Sequence, residues 1–335
     1  MWNDDRVRDL LERYVPAADE VGRLQRGEDD ECRLFQQVAE QGHHAGRSQP
    51  TSTRQGIYAT APSGRLLASI NHNDPARVAQ MLREALGAWR KLPESERYLP
   101  ETPPARPANL RRLEDRYPED GLALRVVSRD LPRRGDRGRD WRAAAWNIDF
   151  AWFTRAEVES WIGAAADAAD GAERDAAPVE TPEALIRRIA RCHLADPVRG
   201  QPPASRAEWV REASLRLVRE SAEEDAVTFR MAGRVRIDGT GRWIVEGRVP
   251  RGAPQEPADE RLTFEAELLG SVTFDRATRR VTAFELVAAG PRSGATRYNG
   301  RHDDPGPAPM GVVLTLADGT PAERVAPAQI WSYGW

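Results

Sequence analysis

The sequence predicts a two-domain α+β protein, and three features of its pattern carry that prediction. Residues 1–92 alternate between segments with helical spacing and segments with strand-like spacing of apolar residues. Residues 93–110 are rich in proline, which favours an extended linker. From residue 213 onward, segments of alternating apolar and polar residues follow one another with turn signals between them, as in an antiparallel β-meander. A chain of 335 residues is long enough for two such cores.

The first helices of the amino-terminal domain are predicted from apolar spacing and from their caps. In residues 4–14, apolar residues recur on one helical face, and Asn3 or Asp4 can cap the amino end. In residues 29–41, acidic residues fill the first turn of a second helix, where they favour the positive end of the helix dipole. Pro16 resists helix between the two, so we expect a short extended stretch there.

A β-hairpin and a long helix complete this domain. Residues 56–70 alternate on both sides of Pro62-Ser63-Gly64, which predicts two strands and a turn. Residues 73–92 predict a helix because Asp74 can cap it, Pro75 suits its first position, and apolar residues follow at helical spacing. The order is therefore helix, strand, helix, hairpin, helix.

The segments "DDRVRDLLERYVPAADEV" and "GIYATAPSGRLLASINHNDPARVAQMLREAL" resemble the thioredoxin-like superfamily, entered partway through its first helix. The resemblance implies an α/β domain over 1–92 whose redox pair would stand before Asp4, where this sequence has no CxxC and no first strand. The family's cis-proline would fall near Gln55, and the nearest proline is Pro50. What the resemblance implies is a redox-inactive domain. The missing strand also opens the alternative that Met1 is not the natural start.

The second domain, residues 111–335, is predicted as helices packed on a β-meander. A strand over 121–129 and an aromatic-rich segment over 140–153 precede helices within 150–212, and the meander fills 213–335. Three helices are expected, at 154–162, 181–194 and 205–213. Six strands with one apolar face predict a barrel or a strongly curved sheet, and the barrel form closes its own edges.

Composition excludes some classes of partner. The net charge is −3, and Lys91 is the only lysine among 49 basic residues. This strong preference for arginine over lysine indicates a coding bias. The sequence shows no net basic segment that would bind nucleic acid. No apolar run reaches the roughly 18 residues that a transmembrane helix needs. We therefore expect a protein or small-molecule partner, no nucleic acid and no membrane insertion.

The sequence also gives expectations about cellular location and about cofactors. The charged first twenty residues lack a secretory signal, which indicates the cytoplasm as the sequence stands and an extracytoplasmic location if a leader precedes Met1. No phosphate loop, nucleophile elbow, zinc-protease or dinucleotide motif occurs, so no cofactor is expected.

Cys32 is one candidate for chemistry. A cysteine in the first turn of a helix can react as a thiolate, but the acidic neighbours Asp29, Asp30 and Glu31 oppose that ionisation. His43 and His44 follow the helix as adjacent residues of extended chain, so only one of them could join Cys32 in a metal site. A single-cysteine thiol protein and inert packing of Cys32 are the two alternatives.

The loop 297–311, "RYNGRHDDPGPAPMG", is the second candidate. Its polar residues lie between two strands, and loops held by a rigid sheet often carry binding residues. Asp and His side chains suit a hard cation or acid–base work. The candidate catalytic residues are Arg301, His302, Asp303 and Asp304. The alternative is a long crossover pinned by prolines with solvated charges.

Three functions are therefore open from the sequence. The first is a non-redox scaffold joined to a β-rich domain that binds a protein or a small ligand. The second is an enzyme, of hydrolase type and with or without a cation, that uses the loop 297–311. The third is a thiol protein that uses Cys32. The sequence favours binding over catalysis.

Overall fold

The computed structural model describes residues 2, 4–18, 21–45, 53–98, 113–133, 145–169, 177–223, 225–245, 248–249 and 254–335. Residue contacts divide the chain into two compact units, Met1–Arg111 and Arg112–Trp335, called here the N-terminal and C-terminal units. Helices and a large antiparallel sheet are both present, which confirms the α+β class. Most of the predicted linker 93–110 lies outside the described residues.

The N-terminal unit is a β-hairpin packed with helices. The hairpin strands β1 and β2 pair antiparallel, and Val78 and Leu82 of the long helix α4 share a core with Val7 of the first helix. Asp74 caps α4 by accepting a hydrogen bond from the Arg77 amide at 2.9 Å, as the sequence predicts. The elements are α1 (Asp5–Leu11), α2 (Val21–Leu24), α3 (Asp30–Gln41), β1 (Ile57–Thr60), β2 (Leu66–Ile70) and α4 (Pro75–Lys91).

The stretch around Pro16 departs from its prediction only in part. Residues 15–18 have no regular secondary structure, and the short helix α2 follows at Val21–Leu24. Proline prevents helix at the residue before it, but nothing among the described residues offers this stretch a neighbouring strand to pair with.

In the residues that the structure describes, the C-terminal unit contains three α-helices, a π-helical turn, short 3₁₀ turns and eight strands. Helix α5 (Arg155–Val158) passes into the π-helix Glu159–Gly163 and then into α6 (Ala164–Ala168), and α7 (Glu183–His193) follows. The elements are β3 (Leu122–Asp130), β4 (Trp146–Phe153), α5 (Arg155–Val158), α6 (Ala164–Ala168), β5 (Val179–Glu180), α7 (Glu183–His193), β6 (Val210–Ala222), β7 (Ala226–Trp243), β8 (Ala258–Asp275), β9 (Arg280–Ser293) and β10 (Ala308–Leu316).

All eight strands form one antiparallel sheet in the order β4-β3-β10-β9-β8-β7-β6-β5. In the described residues β4 and β5 end the sheet at opposite edges, so it is open and the barrel prediction is wrong. The meander was predicted because alternation reveals each strand. Closure needs the edge strands to pair, and a period of two carries no information about that.

Two boundaries in the meander were also wrong. The helix expected at 205–213 is a 3₁₀ turn, Ala207–Trp209, followed by strand β6, because pairing with β7 outweighs the local helix preference. The sequence Gly239-Thr240-Gly241, whose two glycines are typical of a turn, is instead the continuous end of β7, where both glycines pair with β8. Both errors fall on the wall of the candidate site.

One continuous apolar cluster joins helices and sheet. Trp161 of the π-helix packs against Phe153 and Phe284, with ring centroids 5.7 Å and 6.0 Å away. Ile186 and Ile189 of α7 are buried in the same cluster.

No helix in the described parts of the chain combines the length and apolar character needed to cross a membrane.

Candidate functional site

A cavity of about 330 Å³ opens in the C-terminal unit between the segment after α7, the ends of β7 and β8, and the β9–β10 loop. Its apolar wall is formed by Trp209, Trp243, Phe264, Ile237 and Leu262. Its polar lining is formed by Asp196, Ser205, Ser293, Thr296 and Asn299, with Arg206 and Tyr298 also contributing. Apolar walls with a few converging polar groups are typical of a small-molecule site.

Two glycines of β7 make room for the indoles of the wall. A Cβ atom on Gly239 would lie 2.1 Å from Cγ of Trp209, and one on Gly241 would lie 1.9 Å from Cζ3 of Trp243. The two indole rings meet edge to face with centroids 5.9 Å apart. The Trp243 Nε1–H donates to the carbonyl of Ala295 at 3.1 Å, which fixes that ring. Each indole therefore lies directly on the strand.

Close backbone contact brings the two loops of the site together. The Gln201 amide donates to the carbonyl of Tyr298 at 3.0 Å, and a Cβ on Gly200 would lie 1.9 Å from that same oxygen. Only glycine allows this approach. Asp196 lies on the same segment with a left-handed φ of 55°, a conformation that Asp tolerates better than most residues. This contact holds Asp196 beside the β9–β10 loop.

Behind the cavity lies a network of four guanidinium groups and three carboxylates, called here the arginine–aspartate cluster. Arg301 is fully buried and Arg292 and Arg199 are nearly so, whereas Arg133 is partly exposed. Buried charges persist only where they are paired and hydrogen-bonded. The members are Asp130, Arg133, Asp196, Arg199, Arg292, Arg301 and Asp304.

The three carboxylates differ in the number of arginines that neutralise their negative charge. Asp130 accepts two hydrogen bonds of 2.8 Å from Arg301 and another of 2.8 Å from Arg199. Asp304 is paired with Arg133 at 2.6 Å, Arg292 at 2.7 Å and Arg199 at 3.0 Å. Asp196 has ion-pair distances to Arg301 alone, and Arg301 is shared with Asp130. Asp196 is also the only carboxylate of the cluster that lines the cavity.

The pKa shifts of the three carboxylates follow this difference in arginine partners. Burial raises the pKa of Asp196 above the ordinary Asp value, and the hydrogen bond and charge of Arg301 oppose that rise without cancelling it. Burial also works to raise the pKa of Asp130, but Arg301 and Arg199 outweigh it and the pKa falls. For Asp304, Arg133 and Arg292 overcome burial and lower the pKa to about 2.

The structure divides the predicted loop residues into two pairs. Arg301 and Asp304 belong to the arginine–aspartate cluster, whereas His302 and Asp303 are exposed to solvent. In the described residues no group of three or more His, Cys, Asp or Glu side chains is placed to hold a metal ion, so the hard-cation interpretation gains no support. The loop reaches the cavity instead through Tyr298 and Asn299.

Cys32 is buried at the start of α3. Its amide and its thiol both donate to the carboxylate of Asp29, at 3.0 Å and 3.1 Å. His43 stacks on Tyr58 with ring centroids 4.8 Å apart, and its Nε2 lies 3.2 Å from the carbonyl of Gln55. His44 is buried. Each of these residues has a local packing role.

A second buried polar chain holds the carboxyl-terminal segment of the C-terminal unit. His193 Nδ1 lies 3.2 Å from Asp149 Oδ2, and His193 Nε2 lies 2.7 Å from the Tyr333 hydroxyl. A carboxylate only accepts, so neutral His193 carries its proton on Nδ1 and accepts from Tyr333. The Ala328 amide also donates to Asp149 at 2.8 Å. These bonds fasten residues 328–333 to α7 and β4.

The N-terminal unit has a cavity of its own, of about 620 Å³, beside β1 and α4. Tyr14, Tyr58, Leu86 and Trp89 are among its lining residues, and Arg13 is its one charged side chain in the part of the chain that is described. The hydroxyls of Tyr14 and Tyr58 are already engaged, because they donate to the carbonyls of Leu82 and Arg54 at 2.6 Å and 2.7 Å. The cavity of the C-terminal unit is therefore the stronger candidate.

The loop 297–311 borders the cavity, but the sequence did not single out the other residues that line it. Asp196 follows a helix in a turn, and Trp209 was assigned to a helix that does not form. The one available signal was the Gly-x-Gly spacing before Trp243. Glycine in a strand often marks a close approach by another group.

Comparison of the chain with protein-family models, with curated proteins and with solved structures finds no match. The function is therefore argued from the geometry of the site.

Proposed function

We propose that the C-terminal unit binds a small molecule that carries a flat apolar ring, and that it holds this ring in the cavity between Trp209, Trp243 and Phe264. The observation that carries the proposal is the pairing of an indole-walled cavity of about 330 Å³ with a polar end formed by Asp196, Ser205 and Asn299. The volume lies at the lower end of the range for ligand sites, which suits one or two fused rings.

The rigidity of the walls supports binding. The indoles are seated on glycines of β7, and β7 pairs with β8 along its whole length. A ligand that enters such a preformed cavity orders few side chains, which lowers the entropic cost of binding. Aromatic rings prefer offset or edge-to-face contacts with other rings, and two indoles at 61° present both a face and an edge.

Binding is favoured over catalysis because the polar residues of the loop are already engaged. Arg301 and Asp304 are fully committed to the arginine–aspartate cluster, and a group locked in such pairs is poorly suited to move a proton or a leaving group. The enzyme alternative would depend on His302 and Asp303, which are exposed and lie outside the cavity lining.

For the N-terminal unit we propose a thioredoxin-like scaffold without redox activity. The packing of α4 on the β1–β2 hairpin and of α1 on α4 supports this assignment. The burial of Cys32 against Asp29 supports a structural role for that thiol.

Calorimetric titration of the full-length protein with indole tests the ligand proposal. We expect saturable one-to-one binding that weakens at least tenfold in Trp243→Ala, because part of the wall is lost. Trp331→Ala is the matched control, since Trp331 is 73% exposed and lies outside the cavity lining. Binding that is equal in both variants, or no binding at all, would contradict the proposal.

A further inference from the structure

The arginine–aspartate cluster leaves one carboxylate short of positive charge, and that carboxylate faces the cavity. Asp196 accepts from Arg301 at 3.0 Å and 2.7 Å and from the amide of Asn299 at 3.3 Å. Two carboxylate oxygens offer about four acceptor positions, so these three bonds leave one for a further donor. The side chain of Asp196 is 12% exposed, and the cavity is the space that it lines.

The other two carboxylates need no such donor. Asp130 shares Arg301 and Arg199, and Asp304 collects three guanidinium groups within 3.0 Å. Arg199 is shared by Asp130 and Asp304, but Asp304 also has Arg133 and Arg292. Arg301 is shared by Asp130 and Asp196, and among the described ion pairs it is the partner of Asp196. A cation brought to Asp196 from the cavity would balance the charge that Arg301 only half supplies.

The aromatic wall of the cavity also favours a positively charged ligand. The negative face of an indole attracts cations, and the guanidinium of Arg206 already lies 5.2 Å from the centroid of the Trp209 ring. Arg206 itself is exposed at the rim, where solvent and salt screen its charge. Asp196 is buried, so its field is screened much less. The cluster as a whole has one more guanidinium than carboxylates, so the attraction for a cation is local to Asp196, the cluster carboxylate that lines the cavity.

We propose that the natural ligand is an organic cation, an arylalkylamine or an arylamidine, whose ring lies against Trp209 and Trp243 and whose N–H group donates to Asp196. This inference rests on the proposed ligand-binding function and names the chemical class of that ligand. The rise in the Asp196 pKa agrees with it, because a carboxylate that lacks compensation is protonated more easily.

Three probes of equal ring shape and different charge test the inference. Indole is neutral, tryptamine carries an ammonium group and indole-3-acetate carries a carboxylate at neutral pH. In calorimetric titrations of the full-length protein we expect tryptamine to bind at least tenfold more tightly than indole, as a charge-assisted hydrogen bond would give. Indole-3-acetate should bind no more tightly than indole.

Two variants locate the effect. Asp196→Asn should lose the advantage of tryptamine over indole, so that the two probes bind this variant with similar affinity. Asp130→Asn removes the other carboxylate held by Arg301 and leaves the cavity lining unchanged. Because Arg301 is then left to Asp196, this variant should show a smaller preference for tryptamine than the wild type. If Asp196→Asn does not fold, the order of the three probes on the wild type still decides the inference.

The possible failures are distinct. Equal affinity for indole and tryptamine, or a preference that survives in folded Asp196→Asn, would overturn the cation inference and leave ring binding intact. A preference for indole-3-acetate would overturn it in favour of an anionic ligand. Absence of binding by all three probes would overturn the proposed function and this inference with it.

Discussion

Asp196 and Arg301 are joined by two hydrogen bonds of 3.0 Å and 2.7 Å, although 105 residues separate them in the sequence. Arg301 is completely buried, and its other side holds Asp130 through two further bonds of 2.8 Å. The pair joins the segment after α7 to the β9–β10 loop. It also forms the boundary between the arginine–aspartate cluster and the cavity.

The two glycines of β7 against which the indoles pack give the first prediction. Gly239→Ala should destabilise the C-terminal unit by about 1–3 kcal/mol, because the added methyl overlaps Trp209 and forces the ring or the strand to move. It should also weaken indole binding. Thr240→Ala, on the exposed face of the same strand, should change the free energy of unfolding by less than about 0.5 kcal/mol. Urea unfolding followed by tryptophan emission measures both, and equal effects of the two would contradict the packing described here.

Asp304 gives a prediction about pH. Its pKa in the folded protein, about 2, lies below the ordinary value, so its ionised form stabilises the fold at neutral pH. That stabilisation is complete above the ordinary carboxyl pKa and is lost as the pH falls towards 2. Asp304→Asn should therefore cost about 3–5 kcal/mol at pH 7, because buried arginines lose their partner, and less as the pH falls below 4.

Asp303→Asn is the control for that experiment, since Asp303 is its exposed neighbour in the same loop. At neutral pH its urea midpoint should change less than that of Asp304→Asn. A constant difference between Asp304→Asn and the wild type from pH 7 to pH 2.5 would show that the carboxylate of Asp304 does not carry the effect.

Tyr333 gives a prediction about the carboxyl-terminal segment. Tyr333→Phe removes the hydroxyl that lies 2.7 Å from His193 Nε2 and leaves a buried nitrogen without its donor. We expect a loss of about 1–3 kcal/mol in the free energy of unfolding. Tyr117→Phe, whose hydroxyl makes no hydrogen bond among the described residues, should lose less than about 0.5 kcal/mol. A Tyr333→Phe protein as stable as the wild type would contradict the bonding described for His193.

The two cysteines give a prediction about reactivity. Cys32 has no exposed surface and its thiol donates to Asp29, while burial raises the pKa of Cys192 to about 11. Both thiols should react with iodoacetamide at pH 7 at least a hundredfold more slowly than in the urea-unfolded protein, because reaction requires an exposed thiolate. Mass spectrometry of the alkylated peptides separates the two sites. Rapid labelling of Cys32 in the folded protein would support the thiol-protein alternative.

Much of the fold could be read from local pattern. The cap Asp74 with Pro75 located α4, and strict alternation located β8 and β9, because these signals depend on residues close together in the chain. The openness of the sheet could not be read, since it depends on which strands meet at the edges. The helix expected around Trp209 failed because pairing between β6 and β7 is a tertiary effect.

The candidate site was only half visible in the sequence for the same reason. Arg301 and Asp304 stood out as polar residues on a loop, but their partner Asp130 lies 171 residues from Arg301. Gly239 and Gly241 resembled a turn, and their role in seating two indoles depends on where Trp209 arrives after α7. Composition and the spacing of nearby residues do not predict contacts between residues that lie far apart in the sequence.

The indole N–H signals of the protein report directly on a ring-bearing ligand between Trp209 and Trp243. The chain has ten tryptophans, and single Trp→Phe variants assign each ¹H–¹⁵N signal. On titration with tryptamine, the Nε1–H signals of Trp209 and Trp243 should move together and saturate with one affinity, while that of the exposed Trp331 stays in place. Stationary signals for Trp209 and Trp243, or larger shifts at tryptophans outside the cavity, would contradict the claim.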